Sequence, residues 1–443
     1  MTEGDFQIEF YILCTALAWI AIRGILSGQG ILEFPTIAAM LGIAWIVPQG
    51  IELESNTYNT YQSGFFWLYL TGCFLFLSWG FKVGRNLELR RILRSPTKIY
   101  ANYDQGRLHL AAGALTAIGH ISIILMGGID TSGMGKQWTG VITLYALLAT
   151  TSGMGLCLAT LTFARTRSPV SLAIAITAAL PLLWAVLGGV RREQIFDLMA
   201  LSAGSWYLAR RTSPPRLIIV LSLFVGIILL NQIEALRKKV SAGQSLMQAL
   251  TSNEIYQSFD YFNLGQGKAS EIGLAQYDFW YINSTGSVEY GAEYWNSLVH
   301  QYVPAFLLGR ELKESLKADS LSRRIGLGLE EGATSFGSTR TGFSDSYRSF
   351  AFLGVFVFGA IGLVFGYLYS NARVGGLAGQ YYYLVLLAEG LKGITHSTAE
   401  FVSPLPFILV VSMAVLRFSR AQPRVRKSAR GPSPRLDAGP PVR

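Results

Sequence analysis

Apolar runs of about twenty residues recur along this chain, and no other feature restricts its fold so severely. "WLYLTGCFLFLSWGF", "LAIAITAALPLLWAVLGG" and "FVFGAIGLVFGYLYS" are three of them. About 20 such residues carry a helix across about 30 Å of hydrocarbon, where an unpaired backbone group is costly. Charged residues make up 14% of the 443, against about a quarter in a soluble domain. The chain therefore reads as an all-α polytopic integral membrane protein.

About eleven spans are expected, at roughly 6–22, 31–48, 65–81, 108–128, 140–163, 170–190, 194–209, 216–233, 350–370, 376–394 and 401–417. The least apolar carry Glu9, Glu33 with Pro35, and Asp197. Residues 1–233 hold the first eight spans, 234–349 form one large loop, and 350–418 hold the last three. The Pro- and Arg-rich segment 419–443 reads as a disordered basic tail. The start, "MTEGDFQIEF", is acidic, unlike the basic start of a signal peptide. Cys14, Cys73 and Cys157 fall inside apolar runs, without metal-ligand or disulfide spacing, and read as small core residues.

Lys and Arg set the orientation. The connection 82–107 holds seven, and 22 of the chain's 37 fall on that side once Arg23, Arg165, Arg167, the 210–216 segment, Arg373 and the tail are included. The opposite side has Lys136, Arg191, Arg192 and Lys392, plus a long loop with eleven basic and thirteen acidic residues. This predicts an outer N-terminus, an inner C-terminus and one large external loop. The net charge of +10 then reflects inner loops, not nucleic-acid binding.

Arg191 and Arg192 thus lie outside, against the usual bias, in a turn too short to hold them far from the membrane. A guanidinium fork suits phosphate oxygens. The pair equally suits an interfacial anchor, or neutralisation by Glu193 and Asp197, which are spaced i, i+4. Glu389 and Lys392, followed by His396 and Glu400, fall at the same depth; they mark either a functional site or a self-neutralising pair in the bundle. His109 and His120 read as satisfied histidines of a span.

The long loop opens with "EALRKKVSAGQSLMQAL", which reads as an amphipathic surface helix. Tyr277, Phe279, Trp280, Tyr281, Tyr290, Tyr294 and Trp295 follow, a cluster suited to sugar faces or to an interfacial aromatic belt. Asn283-Ser284-Thr285 matches a glycosylation sequon, relevant only in a eukaryotic secretory setting. The loop leaves through Arg340, Asp345, Tyr347 and Arg348 directly into an apolar run, which holds Arg348 at headgroup level. No phosphate-binding loop, HExxH or nucleophile elbow occurs.

Many spans, one large late external loop and paired external arginines resemble the bacterial O-antigen and exopolysaccharide polymerases (Wzy-type), relatives of the O-antigen ligases. The loop exit "STRTGFSDSYRSFAFLGVFVFGAIGLVFG" is the closest local match, with Thr341, Gly342, Asp345, Tyr347, Phe350 and Gly354 in the family's pattern. A second family segment, built on Ile-Pro-Arg, is replaced here by Val303-Pro304-Ala305, leaving Arg310 as the substitute cation. An arginine followed eleven positions later by glycine, described for some of these polymerases, occurs at Arg348–Gly359 and again in the tail.

The resemblance implies a GT-C-like glycosyltransferase of the bacterial inner membrane, working at the periplasmic face. Its donor and acceptor would be undecaprenyl-diphosphate-linked oligosaccharides, with membrane lipids and a polysaccharide chain-length regulator as partners. No cofactor is implied, and fixed arginines would stabilise the diphosphate without a metal. Arg191, Arg192, Arg340 and Arg348 would bind it, and Asp345, His396 or Glu389 would take the acceptor proton. A ligase would share the donor but use a different acceptor. A lipid-linked oligosaccharide flippase would do no chemistry, and commonly shows internal repeats not seen in this sequence.

Overall fold

The computed structural model describes residues 7–55, 64–94, 103–129, 141–189, 192–218, 271–319, 340–374 and 376–421, with 221 and 248 as single positions. Among these residues the chain is helical, apart from one isolated backbone bridge between Tyr103 and Arg420. Before the long loop run α1 (Ile8–Leu26), α2 (Phe34–Ser55), α3 (Gly64–Arg94), α4 (Gln105–Gly127), α5 (Val141–Ala149), α6 (Thr151–Thr166), α7 (Pro169–Gly189), α8 (Arg192–Met199) and α9 (Ser205–Arg210). After them come α10 (Glu271–Thr285), α11 (Ala292–Tyr302), α12 (Ala305–Leu308), α13 (Arg310–Ser315), α14 (Gly342–Phe350), α15 (Val355–Val374), α16 (Leu377–Thr395), α17 (Thr398–Val402) and α18 (Leu405–Phe418).

Eight helical stretches among the described residues are long and apolar enough to cross a membrane, and each coincides with an expected span. The protein is a multi-pass membrane protein. Two of the remaining expected spans are continuous rods. One is α8–α9, joined through a π-helical turn at Ala200–Gly204, and the other is α16. The last, 216–233, lies almost wholly outside the described residues. α16 carries Gln380, three tyrosines, Glu389 and Lys392, yet is buried along nearly its whole length. A helix enclosed by protein need not be compatible with lipid, so its polar groups can be satisfied by neighbouring helices. The rim is the reverse: α4, α7 and α18 expose Ile124, Trp184 and Val410, a surface that lipid chains cover.

The tightest helix pair is α3 with α15. A Cβ on Gly80 would collide with the Gly359 carbonyl, and one on Gly84 with the Leu363 carbonyl. Reciprocally, Gly362 abuts the Leu77 carbonyl and Gly366 that of Phe81. Small residues four apart on both helices let the backbones touch, which gives membrane helices dispersion contacts where burial from water is absent. Phe343 and Phe358 extend this contact by stacking at 5.1 Å, with Phe74 of α3 at 5.5 Å from Phe343.

The two ends of the bundle differ in charge. At one end Arg85 bonds Glu33 at 2.7 Å, Arg165 bonds Gln380 at 2.6 Å, Arg211 donates to the Val374 carbonyl at 2.7 Å, and Arg107 to that of Phe418 at 3.4 Å. Arg210 and Arg167 flank the Trp206 ring, 5.1 and 4.5 Å from its centroid. These residues come from the connections that charge bias assigned to the inner side. The opposite end gathers Glu54, Asp278, Asp345, Glu389 and their partners.

α10 and α14 both belong to the stretch read as an external loop, yet they pack into the bundle. The Trp45 indole donates to Glu271 at 2.7 Å, and the Ile272 amide donates to Gln49 at 3.0 Å. At ~1.5 Å per residue, Trp45 lies roughly 16 Å along α2, about halfway down it. α14 is buried from Gly342 to Ser349. It joins α15 through Ala351, whose φ of 50° and ψ of −135° break the rod.

Candidate functional site

α14 is the centre of the charged cluster at the end opposite the arginines. Thr341 caps it by accepting from the Ser344 amide at 3.2 Å. Gly342 has no room for a side chain, since a Cβ there would strike the Gly393 carbonyl of α16. This contact brings the start of α14 against the end of α16, and so sets Asp345 beside the turn into α17. Asp345 Oδ2 accepts from the Ser397 hydroxyl at 2.6 Å, the Thr398 hydroxyl at 3.2 Å and the Ala399 amide at 3.0 Å. The carboxylate is thereby engaged in holding the 397–399 turn, and its charge suits the amides at the start of α17, which have no partner within that helix.

Two residues on, Tyr347 stacks on Phe279 of α10 at 4.2 Å and donates to Asn283 Oδ1 at 2.6 Å. Ser346 meets the Tyr69 hydroxyl at 2.8 Å. Arg348 turns inward to Glu289, with Nη2 and Oε1 2.6 Å apart and side chains only 1% and 2% exposed. The Glu289 amide also donates to the Arg348 carbonyl at 2.9 Å. Arg348 therefore ties the 286–291 turn to α14, and its charge is balanced internally.

Arg340, just before α14, is different. Its side chain is 38% exposed, with Nε 3.6 Å from Asp278 of α10. The Ser344 hydroxyl donates to the same Asp278 oxygen. Arg340 is thus positioned by a buried carboxylate while part of its fork faces outward.

Lys392 bridges two helices, with Asp197 of α8 at 3.1 Å and Glu389 of its own α16 at 3.3 Å. Asp197, expected to neutralise the Arg191–Arg192 pair, is therefore bound across to Lys392 of α16. His396 ends α16 half-buried, with Nδ1 2.8 Å from the Thr395 hydroxyl. Arg191 lies outside the described residues, and Arg192 begins α8 with only its backbone described. Arg310, exposed, opens α13.

Across this cluster Tyr294 of α11 bonds Thr398 at 2.6 Å. Burial raises its phenol pKa above the ordinary value, and the nearby Asp345 carboxylate adds to the shift. The aromatic run is split by the helix: Phe279 enters the core, while Trp280, Tyr290 and Trp295 remain exposed. The proposed surface helix at 234–250 lies, but for 248, outside the described residues. His109 bonds Ser171 at 2.8 Å and His120 the Thr116 carbonyl at 2.8 Å, both in the bundle.

Asp278 and Glu289 belong to the cluster but escape the sequence reading, which reaches Tyr294 only as one of the aromatic run. A signal existed for Asp278: a carboxylate one position before a core phenylalanine, on a helical stretch rich in aromatics. No protein family, curated protein or solved structure matches the chain.

Proposed function

We propose that the protein is a glycosyltransferase that joins lipid-linked oligosaccharide repeat units, a polymerase working at the periplasmic face of a bacterial inner membrane. One observation carries this reading. Segments far apart in sequence, α8, α10, α14 and the α16–α17 turn, converge at the end opposite the arginine-rich one and bring cations and carboxylates together beside the apolar rim. Such a place can meet the diphosphate of a membrane-anchored substrate from the side. The reading includes eleven crossings in a GT-C-like plan, with α16 and the α8–α9 rod as two of them.

The structure shapes the roles we assign. Arg340, partly exposed and steadied by Asp278, holds the leaving diphosphate together with Arg191 and Arg192; Arg348 acts indirectly by ordering α14. The acceptor hydroxyl attacks the anomeric carbon as the bond to the carrier diphosphate breaks, and its proton passes to a base. We assign that base to His396, a partly exposed imidazole at the end of α16 within the cluster, with Glu389 and Asp345 as the alternatives. Developing charge on the diphosphate is stabilised by guanidinium groups fixed in advance.

The test is the length distribution of carrier-linked glycan in cells carrying Arg340→Ala, or Arg191→Ala with Arg192→Ala, at matched protein levels. Accumulated single units with loss of long chains support polymerisation. Long carrier-linked chains that never reach a final lipid would instead identify a ligase. An unchanged ladder would remove these arginines from the reaction.

A further inference from the structure

The α11–α13 unit carries an apolar face that no described part of the protein covers. Phe306, Leu307 and Leu308 of α12 and Leu312 and Leu316 of α13, the two helices being broken at Gly309 with φ 87°, form a discontinuous exposed apolar stripe, Leu307 being 71% exposed. Other side chains of the unit bond within it. Lys313 is buried, donating to the His300 carbonyl at 2.7 Å; the Trp295 indole donates to the Leu316 carbonyl at 2.7 Å, and Asn296 brackets Ala318. These bonds fold α13 back onto α11, with Leu312 and Leu316 left exposed. A loose surface segment would be free to turn such residues inward.

Where the unit attaches decides what the stripe meets. Tyr302 donates to the Ser403 carbonyl at 2.9 Å and accepts from the Phe407 amide at 3.2 Å. Phe407 lies in the first turn of α18, where amides have no partner within the helix, so this bond anchors the unit to the helix start. Two residues on, α18 turns Leu409 and Val410 outward, Val410 being 66% exposed, on the lipid-facing rim. α12 begins three residues after Tyr302. The stripe is therefore fastened, through Tyr302, close to the start of a helix whose outer face is apolar. Arg310 stands beside it, and Lys317 sits on the same segment paired with Glu314 at 2.6 Å. Leucine and phenylalanine next to basic groups suit the boundary between acyl chains and lipid phosphates.

We propose that α12 and α13 form an interfacial membrane anchor: Phe306, Leu307, Leu308, Leu312 and Leu316 insert into the lipid leaflet, and Arg310 meets lipid phosphate. The anchor fixes the α11–α13 unit to the bilayer independently of any reaction, so it stands or falls separately from the polymerase reading.

The experiment uses the full chain in lipid nanodiscs of phosphatidylcholine with phosphatidylglycerol. Cys14 is replaced by Ala, and an environment-sensitive fluorophore is placed at Leu307→Cys or, in parallel, at Leu312→Cys, with Asp319→Cys as the aqueous reference. Labels at 307 and 312 are expected to emit to the blue of that at 319. They should be quenched by nitroxide lipids labelled high on the acyl chain and protected from aqueous iodide. Iodide quenching equal to that at 319 would overturn the anchor. So would protection from both quenchers, which would mean that protein, from this chain or a second copy, covers the stripe. The two separate positions guard against a label that disturbs its own site.

Discussion

Arg348 and Glu289 form an ion pair of 2.6 Å in which both side chains are almost wholly withdrawn from solvent. Breaking such a pair leaves one uncompensated charge inside, at a cost of about 3–5 kcal/mol, whereas replacing both partners by apolar residues is often tolerated. Arg348→Met and Glu289→Leu should each deplete folded protein in detergent, and the double variant should recover most of it. Polymer formation returning with the fold would place Arg348 in the architecture. A well-folded double variant that makes no polymer would return it to the substrate.

Asp345 and Ser397 make a similar distinction at the base. Ser397→Ala removes one donor to the carboxylate and a cap that serves the Ala399 and Glu400 amides, and is expected to cost about 1–3 kcal/mol in stability. Asp345→Asn keeps an acceptor oxygen and should retain measurable activity, while His396→Ala should abolish it without loss of folded protein. Complete inactivity of a stable Asp345→Asn, beside an active His396→Ala, would reverse the assignment.

Gly80→Val is expected to prevent normal assembly of the α3–α15 pair, because its side chain would enter the space of the Gly359 backbone. Gly113→Val is the control, since nothing lies near a Cβ there. Limited proteolysis of the two variants in membranes should show a fragmented first and an intact second. Equal resistance would mean that the helices have slack that their spacing does not show.

His300 gives a pH prediction outside the spans. Burial lowers its imidazole pKa below the ordinary 6.5, and the charges of Lys313 and Lys317 add to this while Glu314 opposes it. The unfolded state then binds the proton more readily than the folded one. Stability is complete above about pH 6.5 and is lost as pH falls through the folded value. Amide exchange over 292–316 should therefore quicken between neutral and mildly acid buffer, and His300→Gln should flatten that dependence. A wild-type profile that does not change with pH would contradict the burial.

Residue type and order alone determined that this chain lives in a membrane and that its basic connections collect at one end, since hydrocarbon rejects unpaired polar groups and each span must alternate direction. The glycines of α3 and α15 stand at four-residue spacing on two apolar runs, but only the pairing of the helices gave that spacing a meaning. The tertiary structure decided which charges are spent. Glu289 reaches Arg348 over 59 positions, Ser397 reaches Asp345 over 52, and Asp197 finds Lys392 on a helix nearly two hundred residues away. Helical spacing speaks only for neighbours three or four apart. A long-range partner is fixed by which backbones can touch, and at α14 that depended on the absent side chain of Gly342 against α16.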